Sequence, residues 1–181
     1  EGHKLLLTVK GVPIIDYTLQ AFFRSGISEV ALVTGFMADR INDWVGSGSR
    51  YGLKITYIFN PDYRLGNAVS VQAARTFTKD QSFILSMGDH LISSGLIAHV
   101  KDAHGNFEDN VLGVDFDLRK AHEATLVLVD DETRISSIGK RIRPWNGIDS
   151  GVFRFNPDIY KLIDQWIAYD SSGRFELSGA L

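Results

Sequence analysis

Asp89 lies in Gly88-Asp89-His90, directly after the apolar run Ser82-Phe83-Ile84-Leu85-Ser86-Met87. In an open α/β sheet ligands bind beyond the carboxyl ends of the strands, so a carboxylate at this point faces the crevice. A lone carboxylate there suits Mg²⁺, which takes one or two protein carboxylates beside water and substrate phosphates. The alternative is that Asp89 only caps the next helix. A second group, Gly66-Asn67-Ala68-Val69-Ser70, opens a helix after Asn60-Pro61-Asp62-Tyr63. Main-chain N–H groups at such a start can approach a base or phosphate where glycine removes the side chain, although Asn67 and Ser70 also read as plain helix-start residues. The third group, Gly139-Lys140-Arg141-Ile142-Arg143-Pro144-Trp145-Asn146, crowds three cations ahead of Ile148-Asp149-Ser150-Gly151. Solvated strand charges would explain the run, but the second polar cluster beside a glycine favours an anion site. Trp145 reads equally as a packing residue or a ligand platform.

Other chemistries fail on spacing. Gly46, Gly48 and Gly52 miss the dinucleotide-binding spacing by one and follow a helix instead of a strand. His122-Glu123 lacks a second histidine four places after the first, and His99 and His104, five apart on a predicted helix, fall on different faces. No serine has glycines two places to either side, as a nucleophile elbow requires. The 181 residues contain no cysteine, which excludes disulfides, thiolate zinc sites, iron–sulfur clusters and cysteine nucleophiles and agrees with a cytoplasmic location. A net charge of -3 gives no overall attraction for nucleic acid or an anionic membrane, so a polyanionic ligand must meet a local cluster of cations. No apolar run reaches the ~18 residues of a membrane span, and no signal-peptide pattern opens the chain, so a soluble protein without direct membrane contact is expected.

Helices and strands must position these groups. Pro13 to Gly26 carries Ile15, Leu19, Phe22 and Phe23 at helical spacing, and the mostly apolar run 29–35 reads as a buried strand. The alternation continues as helix 37–45, strand 53–59, helix 67–77 and strand 82–87. Such alternation predicts an α/β fold whose mixed, mainly parallel sheet is flanked by helices. Later, 124–129 and 134–138 flank an acidic turn and predict a small antiparallel hairpin region. Strand 151–155 and a helix bearing Ile159, Leu162, Ile163, Trp166 and Ile167 follow, and the last stretch begins another helix. One domain over 1–181 fits this length.

The ordered series then carries a resemblance. Lys4 followed by Leu6 and Val9, Gly-x-Pro at 11–13, Tyr51-Gly52-Leu53-Lys54-Ile55, Asn60-Pro61, Gly66-Asn67-Ala68, Gly88-Asp89-His90 and Asp149-Ser150-Gly151 resemble the sugar-phosphate nucleotidyltransferase superfamily over essentially the whole chain. Gly-Asn-Ala-Val-Ser, Gly-Asp-His and the stretch from Ile138-Gly139-Lys140 to Asp149-Ser150-Gly151 look most like the CTP:inositol-1-phosphate cytidylyltransferases. The resemblance implies a Rossmann-like nucleotidyltransferase fold and a Mg²⁺-dependent reaction. In it, inositol 1-phosphate attacks the α-phosphorus of CTP, giving CDP-inositol and pyrophosphate on the way to di-myo-inositol phosphate. By matching position Lys4 would contact phosphates, Gly66, Asn67, Ala68 and Ser70 with Gly88 and Asp89 would hold the nucleotide, and Asp89 would bind the metal. Lys140 would steady the acceptor phosphate, and Asp149, Ser150 and Gly151 would meet the polyol. Because the attacking phosphate oxygen is already ionised, no general base and no catalytic histidine is required; positioning and charge neutralisation carry the reaction.

Departures qualify the match. Leu5 stands where the family has proline after its lysine, and glycine replaces the acidic residue in Leu177-Ser178-Gly179, leaving Glu176 as the substitute second metal carboxylate. The family's first strand and Gly-rich loop should lie just before Lys4 and are not in this sequence, so a larger gene product is expected, extending past Leu181 and with a fused or separate membrane synthase as partner. Hexose-1-phosphate uridylyl- or thymidylyltransferases and phosphocholine cytidylyltransferases are the enzymatic alternatives. A non-catalytic nucleotide- or sugar-phosphate-sensing domain is the alternative of another class.

Overall fold

The computed structural model describes residues 2–103, 109–117, 119, 121–122 and 124–181; His104 and Glu123 lie outside these. Lys4–Leu6 makes one 3-10 turn. A hairpin follows, β1 (Thr8–Val9) antiparallel to β2 (Val12–Pro13). Its two connecting residues, Lys10 and Gly11, both take positive φ, 52° and 80°, the backbone twist that joins paired strands through a two-residue loop. Pro13 then leads into α1 (Ile14–Arg24), which buries Ile15, Leu19 and Phe22 along one face. β3 (Glu29–Thr34), α2 (Ala38–Val45) and β4 (Lys54–Phe59) form a βαβ unit, the two strands paired in parallel from Glu29↔Lys54 to Thr34↔Phe59.

The expected helix 67–77 is two helices, α3 (Asn67–Ala73) and α4 (Arg75–Thr78), separated by Ala74 at φ -81° and ψ -2°. β5 (Phe83–Ser86), α5 (Ser94–Lys101), β6 (Val111–Asp115), β7 (Leu126–Val129) and β8 (Ile135–Gly139) precede the nine-residue β9 (Gly147–Phe155). α6 (Ile159–Tyr169) and α7 (Leu177–Ala180) complete the described chain.

β9 organises the larger sheet. Its second half pairs with β5, Phe83↔Phe155 to Ser86↔Val152, and it also pairs with β6; its start pairs with β7, which pairs with β8, all antiparallel. The α/β class and the mixed, helix-flanked sheet are as expected, but the parallel share is smaller than the alternation suggested. Among the described residues β3–β4 is the one parallel pair. Local periodicity marks β5 as a strand, whereas its partner, some seventy residues along the chain and running back, is chosen by burial of Phe153 and Phe155. β3 and β5 each have a single strand partner among the described residues.

Two cores hold these layers. Ile15, Leu19, Val30, Ile97 and Val152 belong to one, and Ala68, Phe153, Phe155, Ile159 and Ile163 to the other. β9 contributes to both, with Val152 to the first and Phe153 to the second, as expected where successive side chains leave opposite faces of a strand. Among the described residues no helix is long and apolar enough to cross a membrane.

Candidate functional site

Asp89 follows β5, where the strand's carboxyl end leaves the sheet. Its Oδ2 accepts from Lys4 Nζ at 2.6 Å, and Oδ1 lies 3.1 Å from His90 Nδ1. The His90 hydrogen bond, followed by the bond and charge of Lys4, holds the Asp89 carboxyl well below the usual carboxylate range against the opposing effect of burial. His90 is raised in return, chiefly by its bond to Asp89. Asp89 is therefore an anion at neutral pH, with a 41% exposed side chain facing the 67% exposed side chain of Lys4. At such exposure the pair contributes at most about 1 kcal/mol to stability, which leaves Lys4 free to exchange partners.

Lys140, Asp149, Asn67 and Glu176 line one cavity of about 70 Å³, together with Met87, Thr125, Ile138 and Phe153. Its size is well below the ~300 Å³ of ordinary ligand clefts, and Leu177, Ser178 and Leu181 of the C-terminal segment form part of its wall. Asp149 Oδ1 accepts from the Gly151 N–H at 2.6 Å, and burial pushes the Asp149 carboxyl upward despite that bond and the nearby His90.

β9 ties the two groups together. Gly151, at φ +76°, accepts at its carbonyl oxygen from the Met87 N–H at 2.8 Å, and a Cβ there would lie 3.1 Å from the His90 ring. His90 thus sits between Asp89 and the Asp149–Gly151 segment of β9. Ser150 does not line the cavity: its Oγ is buried without a hydrogen-bond partner among the described residues, and it lies against Gly113 of β6.

The Gly66 loop is held by the chain itself. At φ +115° a Cβ on Gly66 would be 2.3 Å from the Phe175 carbonyl oxygen, which also accepts from the Ala68 N–H at 3.0 Å. Asn67 Oδ1 accepts from the Leu177 N–H at 2.7 Å, and Ser70 Oγ accepts from Asn60 Nδ2 at 3.0 Å. The close approach that requires glycine is therefore made by the 175–177 backbone, with Asn67 left lining the cavity. Gly88 leaves room for Leu5, whose Cδ1 would stand 3.3 Å from a Cβ.

A sequence profile of the Nucleotidyl transferase family matches residues 2–178. The chain belongs to that family. This nucleotidyl transferase chain is 27% identical over 99% of its length to the low-salt glycan biosynthesis nucleotidyltransferase Agl11 of Haloferax volcanii, covering 50% of that protein. It is 29% identical over 97% of its length to a bifunctional IPC transferase and DIPP synthase of Thermococcus kodakarensis, covering 38% of it. Among solved structures, the inositol-1-phosphate CTP transferase from T. maritima superposes with a TM-score of 0.78 at 25% identity, over 98% of this chain and 70% of that one. The chain thus spans half or less of the length of these curated relatives.

The donor set at Asp89 of this nucleotidyl transferase chain fits a hard divalent ion: an ionised, half-exposed carboxylate, at a strand end, with an exposed lysine that can yield its place. No group of three or more acidic or histidine ligands converges among the described residues, so water and phosphate oxygens would fill the remaining positions. Glu176, expected as a second metal carboxylate, lines the cavity with Lys140 and Asp149. Sequence reasoning missed His90 as the partner of Asp89; its adjacency in Gly-Asp-His was the available signal. Thr125 of the cavity wall carried none, because its place comes from a long-range contact, its carbonyl accepting from the Asp149 N–H at 2.9 Å.

Proposed function

We propose that this chain is the catalytic core of a CTP:inositol-1-phosphate cytidylyltransferase. The observation that carries the reading is the placement of two lysine–carboxylate groups beside β9: ionised Asp89 with Lys4 beyond the end of β5, and Lys140 and Asp149 lining one cavity. Similarity to a transferase of inositol 1-phosphate and CTP, and to two bifunctional IPC transferases, supports the choice of substrates.

In this reading Lys140 holds the phosphate of the acceptor, and Asp149 with Gly151 meets its hydroxyls. The acceptor oxygen, already anionic, forms a bond to the α-phosphorus of CTP as the bond to pyrophosphate breaks. No proton need be removed, so the work lies in bringing two anions together and neutralising charge as it gathers. Lys4 contacts the nucleotide phosphates on leaving Asp89. Asp89 would hold Mg²⁺, which supplies a further positive charge to the phosphate oxygens when bound. Gly66 and Ala68 support the nucleotide side of the crevice through the Phe175 contact, and Asn67 reaches the cavity directly.

Pyrophosphate release measured across CTP, UTP, dTTP and ATP with inositol 1-phosphate, glucose 1-phosphate and phosphocholine tests the reading. Turnover restricted to CTP with inositol 1-phosphate is expected. Preference for dTTP with glucose 1-phosphate would favour a thymidylyltransferase, a reading with its own support in 37% identity over half of this chain to the glucose-1-phosphate thymidylyltransferase of Streptomyces antibioticus. Asp89→Ala should lower Mg²⁺-dependent turnover by about 10²–10³, the usual loss for a directed charge contact, while circular dichroism stays unchanged. Full turnover in that variant would remove Asp89 from the mechanism.

A further inference from the structure

His3 has no part in the reaction proposed above, yet it is one of the residues that attach the Lys4 segment to the rest of the molecule, beside Leu5 and Leu6, which pack against the first core. It precedes the single 3-10 turn Lys4–Leu6, and its Nδ1 accepts from the Leu5 N–H at 3.1 Å. The His3 carbonyl accepts from the Leu6 N–H at 2.9 Å, so side chain and main chain of His3 together satisfy two donors of the turn. The imidazole stacks on Phe36 with ring centroids 6.2 Å apart and planes at 28°. Phe36 follows β3 and is in turn backed by Tyr63 at 6.4 Å, whose ring occupies the space a Cβ on Gly35 would need. One residue on, Lys4 reaches across to Asp89 after β5.

We propose that His3 is a positioning residue that fixes Lys4 above Asp89, by capping the Lys4–Leu6 turn through Nδ1 and seating its ring on Phe36. Lysine carries four rotatable carbons and a compact charge, so its Nζ finds a partner only as well as its backbone is placed. The ring stack fixes that backbone to the carboxyl end of β3, and the Leu5 side chain against Gly88 fixes it to the end of β5. An acceptor at Nδ1 is essential to the cap. Burial and the neighbouring Lys4 charge favour the neutral ring that provides it, a main-chain hydrogen bond at Phe36 acting the other way.

This inference rests on the proposed role of Lys4 for its consequence in turnover but not for its geometry, and the test separates the two. Acetic anhydride labelling of the intact chain, read residue by residue by mass spectrometry with Lys54 and Lys79 as internal standards, reports how well Lys4 is held. His3→Leu should raise the labelling rate of Lys4 about fivefold, the shift expected for losing one net hydrogen bond. His3→Asn, which keeps a side-chain acceptor suited to capping but loses the ring stack on Phe36, should fall between wild type and His3→Leu. Unchanged Lys4 labelling in His3→Leu would overturn the proposal. Turnover of CTP with inositol 1-phosphate supplies the second reading through a double-mutant cycle. His3→Leu should reduce turnover when Lys4 is present and have no further effect in a Lys4→Met background; a further loss there would assign His3 a role independent of Lys4 and sink the inference. Wild-type turnover in Lys4→Met alone would instead reject the assignment of Lys4 to the phosphates, and labelling would still decide whether His3 positions it.

Discussion

Asp89 and Gly66 behave differently at the scale of single residues, although both stand in motifs that read as ligand contacts. Asp89 keeps its chemistry in the fold: it is ionised, half exposed and matched to Lys4 and His90. Gly66 has spent its freedom on the chain, since its φ of +115° and the Phe175 carbonyl leave no volume for a Cβ. Gly66→Ala should therefore destabilise the protein by about 1–3 kcal/mol, the range for a strained left-handed backbone, with some repacking of 175–177 as the alternative to strain. Urea unfolding measures it; a loss below about 0.5 kcal/mol would mean that the C-terminal segment moves away at no cost. That Asp89 lies at a strand end was legible from the apolar run before it. That Gly66 would meet Phe175, more than a hundred residues away, was not, because no local pattern encodes a contact at that separation.

Helices α3, α4 and α6 pack on the second core and carry a polar cluster at its exposed edge. Arg75 Nη2 donates to Asp164 at 2.6 Å and to the Tyr160 carbonyl at 2.9 Å, Gln72 Nε2 donates to Asp164 at 2.7 Å, and the Arg75 guanidinium lies 4.9 Å from the Tyr160 ring centroid. Burial pushes the Asp164 carboxyl upward, but the bonds from Arg75 and Gln72 outweigh it and hold the group below its ordinary value of 3.8. A carboxyl depressed in the folded state adds stability that is present above pH 3.8 and is lost as pH falls through the folded value. Asp164→Asn should accordingly lower Tm at pH 7, and the difference from wild type should shrink below about pH 4. A difference that stays constant with pH would show that the amide fails for packing reasons instead. The break at Ala74 is what turns Arg75 toward α6; periodicity read 67–77 as continuous, because the apolar spacing survives a one-residue 3-10 step.

Across the whole molecule, two cores share β9 and the sheet that it organises. Ile97 and Ile163, both fully buried, lie one in each. Ile97→Val and Ile163→Val should each cost about 0.5–1.5 kcal/mol, and the double variant should equal their sum within about 0.5 kcal/mol, as for sites without shared partners. Urea unfolding followed by both tryptophan fluorescence and circular dichroism tests this. A marked departure from additivity would mean that β9 transmits packing changes from one core to the other. The same strand brings its Asp149–Gly151 segment beside His90, so the relation between the two halves of the candidate site depends on a pairing made at the level of the whole sheet.

By itself the sequence determined most of the helices and strands, though not the β1–β2 hairpin, β6 or the break at Ala74, because apolar spacing repeats within a few residues and physical periodicity is local. It also determined where the charge resides: a carboxylate after an apolar strand at Asp89 and a lysine after a hairpin strand at Lys140. Only the tertiary structure decided that β5 pairs with β9 in antiparallel fashion, that Glu176 lines a cavity with Lys140, and that the glycine loop closes on Phe175. Those outcomes depend on which distant apolar faces bury each other, a competition among many surfaces that no single stretch of chain contains.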